Sequence, residues 1–402
     1  MKNDFMKRYG NFLWHGSFLA LTMAFVEINT VIPSLILKAG GGSFSVGLVS
    51  AILTGIPLIA QLLFAGFLMS KPRKKPYLIF AIYLRIISLA ALGFILGSSF
   101  EGITLLIAIF IVLSIFSFSG VFAGISYTDL LGKTVEQKSR RKFMAIRQIL
   151  SGIFSLLGGL IAKNIVSSYV YPENYSLMFF IASISLMVGS AGFFLIKENK
   201  SENRRILKLA EVIRKIPSIL KDDSNLKNYV LFSNSTGFGL VIIPFYIVLA
   251  RNSFGLSGED LGMYVFLQMI GMTVSGFLWG YLLSKWNYYR VMRNCVFLGA
   301  TLPIIALILS NTNVALYSIV FILSGSNLSV RKMTFEGLLI EISNKDNRAL
   351  YTGIVGALNL VLALLPLVIG SIIDNLGFTT VFIITSAFIL LGFYYLRKIK
   401  IV

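Results

Sequence analysis

The sequence predicts an all-α polytopic membrane protein of twelve transmembrane helices, arranged as two pseudo-symmetric six-helix halves. Three observations carry this reading. The 402-residue chain is 56% hydrophobic and only 13% charged, with a mean hydropathy of +0.82, well outside the range of a soluble domain. Of its 36 Lys and Arg residues, 32 fall at the termini or in every second hydrophilic link, while the links between hold only Lys38, Lys163 and Arg251. Cytoplasmic loops collect Lys and Arg, so this alternation predicts a multi-pass protein of the cell (inner or plasma) membrane with both termini cytoplasmic. Finally, the second half repeats features of the first at equivalent places.

A helix needs about 20 apolar residues to cross the hydrocarbon core. Windows of that length give spans at 11–37, 46–69, 77–97, 103–126, 143–166, 175–196, 229–250, 261–283, 291–310, 314–330, 350–373 and 378–396. The runs lack strict polar/apolar alternation and are too long for barrel strands. Pro33, Pro57, Pro244, Pro303 and Pro366 fall inside spans, where membrane helices tolerate them as kinks. The first apolar run is too long for a signal peptide and no small-residue cleavage site ends it, so none is expected.

The longest link, 197–228, divides the chain into a first bundle (1–196) and a second (229–402). Within it, Ile206, Leu209, Ile213, Ile216 and Leu220 recur at steps of three and four between Lys and Arg. That pattern predicts an amphipathic helix lying on the inner membrane surface as a tether between the halves. The halves match elsewhere. The second span ends Gly66-Phe67-Leu68-Met69-Ser70-Lys71 and the eighth Gly280-Tyr281-Leu282-Leu283-Ser284-Lys285. Asp129 follows the fourth span with Arg141 twelve residues on, and Glu336 follows the tenth with Arg348 at the same distance.

On these residues the chain resembles a major facilitator superfamily transporter over essentially its whole length. Gly66-x-x-x-Ser70-x-x-Arg73-Lys74-Lys75 is similar to that family's loop motif Gly-x-x-x-Asp-x-x-Gly-Arg-Arg/Lys, with Ser70 in place of the aspartate and Arg73 in place of the second glycine. The aspartate makes a charged contact at the inner gate in that family, so Ser70 puts this latch in question. Gly370-x-x-x-Asp374-x-x-Gly377 is also of the family's type. Asn29-Thr30-Val31-Ile32-Pro33 resembles the first helix of twelve-span drug:proton antiporters. The resemblance implies two parallel repeats that rock about a central cavity lined by spans one, four, seven and ten.

Glu27 is the sharpest functional candidate. It lies near mid-membrane, where a carboxylate costs about 2.5–3.5 kcal/mol on insertion scales, and burial there poises it to bind a proton. On a helix it shares a small or polar stripe with Gly16, Ala20, Met23, Thr30 and Ser34, which should face a wet cavity rather than lipid. Thr30, Gln61, Ser117, Asn234, Tyr246, Gln268, Asn327 and Asn359 supply polar groups for a substrate cavity, although helix–helix packing and local hydrogen bonding are the commoner role of any one such serine or amide. Arg85, Asp129, Arg141, Glu336 and Arg348 form the expected cytoplasmic gate. Arg85 has three placements: snorkelling to the inner surface, pairing with Asp129, or countering Glu27. Its depth favours the gate. His15, the one histidine, reads as structural or interfacial.

The net charge of +19 is spread over links facing anionic lipid, so no nucleic-acid partner is expected. One cysteine, Cys295, and one histidine leave no disulfide and no metal site. A Walker loop, a zinc-binding His-Glu-x-x-His pattern, a nucleophile elbow and an Arg ladder for voltage sensing are all lacking, so no enzyme, cofactor or direct ATP drive is expected. The expectation is a monomeric secondary transporter that uses a proton gradient to export amphipathic or cationic organic compounds. Alternatives are proton-coupled uptake of a sugar, peptide or organic acid, lipid or glycolipid flipping, a membrane receptor, and a membrane-embedded enzyme.

Overall fold

A computed structural model describes residues 2–69, 71–136, 139–196, 198, 209–255, 257–343 and 348–400. Among them the chain is almost wholly helical, without a strand. In chain order the helices are α1 (Lys2–Phe25), α2 (Val31–Lys38), α3 (Ser43–Met69), α4 (Lys75–Leu96), α5 (Gly102–Thr134), α6 (Arg140–Ser168) and α7 (Glu173–Ser190), which runs into a 3₁₀ turn at Ala191–Leu195. There follow α8 (Leu209–Asp222), α9 (Ser224–Val241), α10 (Ile243–Phe254), α11 (Gly258–Lys285), α12 (Tyr288–Leu309), α13 (Val314–Tyr317), α14 (Ile319–Glu341), α15 (Arg348–Leu358) and α16 (Leu360–Lys398).

Among the described residues ten segments are long and apolar enough to cross a bilayer, and together with the first pass they make up the predicted twelve. The first predicted span is split into α1 and α2 and so is absent from the ten. The last segment, Ile354–Lys398, holds two passes joined at Gly377, whose φ of 76° breaks the helix there. That is the left-handed region, open to glycine and strained for residues with a Cβ. Apolar side chains also cover the outside, as lipid requires. Phe80, Ile87 and Phe94 form one exposed stripe on α4, and Ile103, Ile107, Ile111 and Ile115 another on α5.

The chain forms two compact units. The first comprises residues 1–27, 38–40 and 52–207; the second takes 28–37, 41–51 and 208–402. In the first unit α1 packs on α6 and α7, while α4 packs on α5 and α7. In the second, α9 packs on α16, α12 on α14 and α16, and α11 on α14. Numbered by pass, first-on-fifth-and-sixth and third-on-fourth-and-sixth recur as seventh-on-eleventh-and-twelfth and ninth-on-tenth-and-twelfth. The sequence repeat is thus a repeat of packing.

Residues 41–51 join the second unit because backbones meet there. A methyl group at Gly47 would sit 2.2 Å from the Pro366 carbonyl oxygen, and one at Gly370 would sit 2.5 Å from that of Ser43. The Phe44 N–H, at the start of α3, donates to the Asp374 carboxylate at 3.2 Å, the favourable sign of charge for a helix N-terminus.

The link helix differs from its predicted role. Ile206 lies outside the described residues. In α8, however, Ile216 is buried in one cluster with Leu226, Tyr229, Leu338 and Tyr351, with Ile219 and Leu220 packed against it. The apolar face of α8 docks on the second unit's protein core rather than on lipid alone. At its end Asp223 caps α9 by accepting the N–H groups of Asn225 and Leu226, each at 2.9 Å.

Candidate functional site

Both first passes break at the same place. Residues 26–30 interrupt the first pass ahead of Val31-Ile32-Pro33, and Ile242 separates α9 from α10 ahead of Ile243-Pro244. A proline has no N–H and its ring crowds the carbonyl four residues back, so each helix opens one turn upstream of it. Glu27 sits in the first break, 7% exposed, and Asn29 and Thr30 beside it are also buried. The break thereby sets the proposed proton carrier among irregular backbone within the bundle, the one setting in which membrane proteins tolerate such backbone.

The candidate cavity residues divide by unit. In the first, Ser117 on α5 is buried and its hydroxyl donates to the carbonyl of Ile52 at 3.3 Å. The Gln61 side chain lies outside the described residues. In the second unit the Asn234 amide donates to the Val230 carbonyl at 3.0 Å and to Asn359 Oδ1 at 3.3 Å, which brings two of the predicted residues together. Asn359 stands at the break between α15 and α16. Asn327 Oδ1 accepts from the Cys295 thiol at 3.6 Å.

Gln268 on α11 is fully buried, and among the described residues neither amide atom finds a hydrogen-bond partner. The hydroxyls of Tyr246 and Tyr264 are likewise buried and unsatisfied. Tyr264 lies one turn before Gln268 on the same helix face and stacks on Phe321 at 4.2 Å. Sequence reasoning passed over Tyr264; its spacing of four from Gln268 was the available signal.

The gate candidates meet different partners from those expected. Asp129 pairs with Lys74 at 3.0 Å and with Lys133 at 2.5 Å. Lys133 reaches on to Glu198 at 3.1 Å. Glu198 accepts the N–H groups of Lys74 and Lys75, each at 2.8 Å, at the start of α4. This network ties the ends of α4, α5 and the 3₁₀ turn within the first unit. The side chains of Arg141, Glu336 and Arg348 lie outside the described residues.

Arg85 does not join Asp129. Its guanidinium lies over the Phe116 ring at 4.3 Å from the centroid, and Nη2 approaches Met23 Sδ at 3.7 Å. The reason is depth: Arg85 is midway along α4, whereas Asp129 is in the last turns of α5 beside the start of α4.

Two arginines counted with the links are interior residues. Arg331 is buried on α14, which runs past the predicted end at 330. It donates to the Thr236 carbonyl at 2.9 Å and covers Phe335 at 4.0 Å. Arg147, in the first turns of α6, lies against α1: a methyl group at Gly16 would sit 3.5 Å from its Cγ and Nε. Among the described residues no cluster of three His, Cys, Asp or Glu side chains is arranged to hold a metal ion.

The family model described as Major Facilitator Superfamily matches residues 13–330 and 229–400. Solved structures share the fold across nearly the full length. A nucleoside transporter, NupG, in a mutant form is 16% identical, with 96% of this chain and 99% of that one covered at a TM-score of 0.72. A POT family transporter in complex with 5-aminolevulinic acid is 12% identical, with 97% and 96% covered at 0.71. A D-xylose-proton symporter is 13% identical, with 96% of each chain covered at 0.67. No curated protein matches the chain. At these identities the likeness to solved structures speaks for the fold alone.

Proposed function

Because this chain belongs to the major facilitator superfamily, we propose that it is a secondary active transporter that moves a small solute by alternating access and couples that movement to protons at Glu27. The buried position of Glu27 in the break of the first pass carries the reading. A carboxyl group within the membrane is costly to place there and is retained where it serves a pathway or a proton relay. The two units provide the bodies that move, and the proton state of Glu27 biases which arrangement is favoured. The D-xylose-proton symporter among the similar folds couples a solute to protons, which supports this form of coupling. We place the protein in the cell membrane with cytoplasmic termini, on the basic links, and read it as a monomer with no resident cofactor.

The test compares wild type with Glu27→Gln in proteoliposomes. Solute flux driven by an imposed pH gradient should vanish in the variant, while exchange of labelled for unlabelled solute without a gradient should persist. Gradient-driven flux that survives Glu27→Gln removes Glu27 from the coupling role.

A further inference from the structure

Among the described residues of the first unit, two arginines stand apart from the network of Asp129 and Glu198. Arg147 from α6 lies against Gly16 of α1, and Arg85 from α4 touches Met23 two turns along that helix. At 1.5 Å per residue, those contact points are about 10 Å apart on one face of α1. His15, 4% exposed, lies within electrostatic reach of both arginines. Tyr127 of α5 lies beneath the Arg147 guanidinium at 5.3 Å and beside the His15 ring at 5.8 Å. Four helices thus converge on two guanidinium groups, an imidazole and a phenol.

These groups are short of acceptors. Among the described residues no carboxylate pairs with Arg85 or Arg147, since the ion pairs there use Lys74, Lys133, Asp129 and Glu198. Arg85 Nε, His15 Nδ1 and the Tyr127 hydroxyl are all buried without a hydrogen-bond partner. Each guanidinium offers five N–H donors in a planar fork suited to carboxylate or phosphate oxygens. Cations inside a membrane protein are retained where they meet an anion or serve a pathway.

We propose that Arg85 and Arg147, with His15 and Tyr127, form an anion subsite, and that the transported solute is an organic anion bearing a carboxylate or phosphate. This rests on the transporter reading and names its substrate class. It sets an anionic solute in place of the cationic one expected from the sequence. That expectation weighed Glu27 as the lone acid of the spans and counted Arg147 and Arg331 as loop residues. The two guanidinium groups repel a cation and attract an anion, so one feature accounts for both their lack of a carboxylate partner and the solute's charge.

The experiment uses the full chain in two formats. In detergent, melting temperature is followed with inorganic phosphate, citrate, glucose 6-phosphate, tetraphenylphosphonium or glucose. A ligand that binds only the folded state raises it. One or more of the three anions should stabilise wild type, and Arg85→Gln and Arg147→Gln should each weaken apparent affinity by about tenfold or more. Arg85→Lys should recover part of that loss, because it restores charge without the fork. Each variant's ligand-free melting should stay close to wild type, which separates lost binding from lost folding.

In phosphatidylcholine liposomes under a pH gradient, the same anions should move and tetraphenylphosphonium and glucose should not. Movement of the cation or the sugar alone, indifferent to both substitutions, overturns the anion subsite and leaves the transporter reading standing. Movement of no solute of any class overturns both. Stabilisation by added phosphatidylglycerol, arginine-dependent but with no response to soluble anions, makes this a lipid site and overturns the solute assignment.

Discussion

Replacing Glu198 by alanine should be among the most damaging single changes at the end of the first unit, although no apolar contact is lost. The carboxylate is 3% exposed and serves three donors: two backbone N–H groups at the start of α4 and the Lys133 ammonium. Removing one partner of a buried ion pair costs about 3–5 kcal/mol, and losing a helix cap about 1 kcal/mol. Lys133 keeps Asp129 at 2.5 Å, which offsets part of the loss, so about 3 kcal/mol is expected for Glu198→Ala. Glu198→Gln keeps an acceptor for the N–H groups and should cost about 1–2 kcal/mol. Asp129→Asn, at a carboxylate 31% exposed, should cost about 1 kcal/mol or less. The assay is thermal melting of the detergent-purified series, extended to a double-mutant cycle with Lys133→Met. Coupling between positions 133 and 198 should reach about 1–3 kcal/mol. A Glu198→Ala variant that melts with wild type, or coupling below about 0.3 kcal/mol, refutes the reasoning.

Further outcomes follow from the same geometry. Gln268→Leu should raise stability by about 1–3 kcal/mol in melting experiments, because it removes a buried amide without partners. It should lower solute flux in liposomes if that amide serves the solute. Gly377→Val should cost about 1–3 kcal/mol, since φ of 76° is strained for a β-branched residue; Gly377→Asn should cost less. Gly47→Leu should destabilise by at least about 1–3 kcal/mol, since its side chain would enter the Pro366 backbone. A variant at position 47 that melts like wild type would show that the two backbones do not meet as described.

Much of the architecture was legible in the sequence because bilayer length and loop charge are averaged signals, robust to a misplaced residue. The passes, the six-plus-six division and the repeat all come from such averages. What escaped was local. Window hydropathy reads a charge near a helix end as the end itself, so Arg331 was assigned to a link although α14 continues beyond the predicted limit at 330, and Arg147 was counted with the link charges although it falls within the predicted span 143–166. Continuing the polar steps Ser324, Asn327 and Arg331 along one face would have kept Arg331 on the helix. The partner of Lys133 was hidden for a different reason: Glu198 is far off in sequence and meets Lys133 only when the ends of α5 and the 3₁₀ turn converge. Pro33 and Pro244 were read as tolerated kinks; the structure makes them the matched breaks that place Glu27 and Ile242. The apolar face of α8 satisfied a membrane-surface pattern and a docking pattern alike, and only the packing of Ile216 distinguished them.

The most direct test of the account is uphill movement. Purified protein is reconstituted in sealed liposomes, a pH gradient is imposed, and labelled solute is measured on both sides over time. The account predicts that solute becomes more concentrated on one side than the other, that a protonophore collapses the difference, and that Glu27→Gln never builds it. Solute that only equilibrates, with or without the protonophore, would contradict proton-driven transport by this protein.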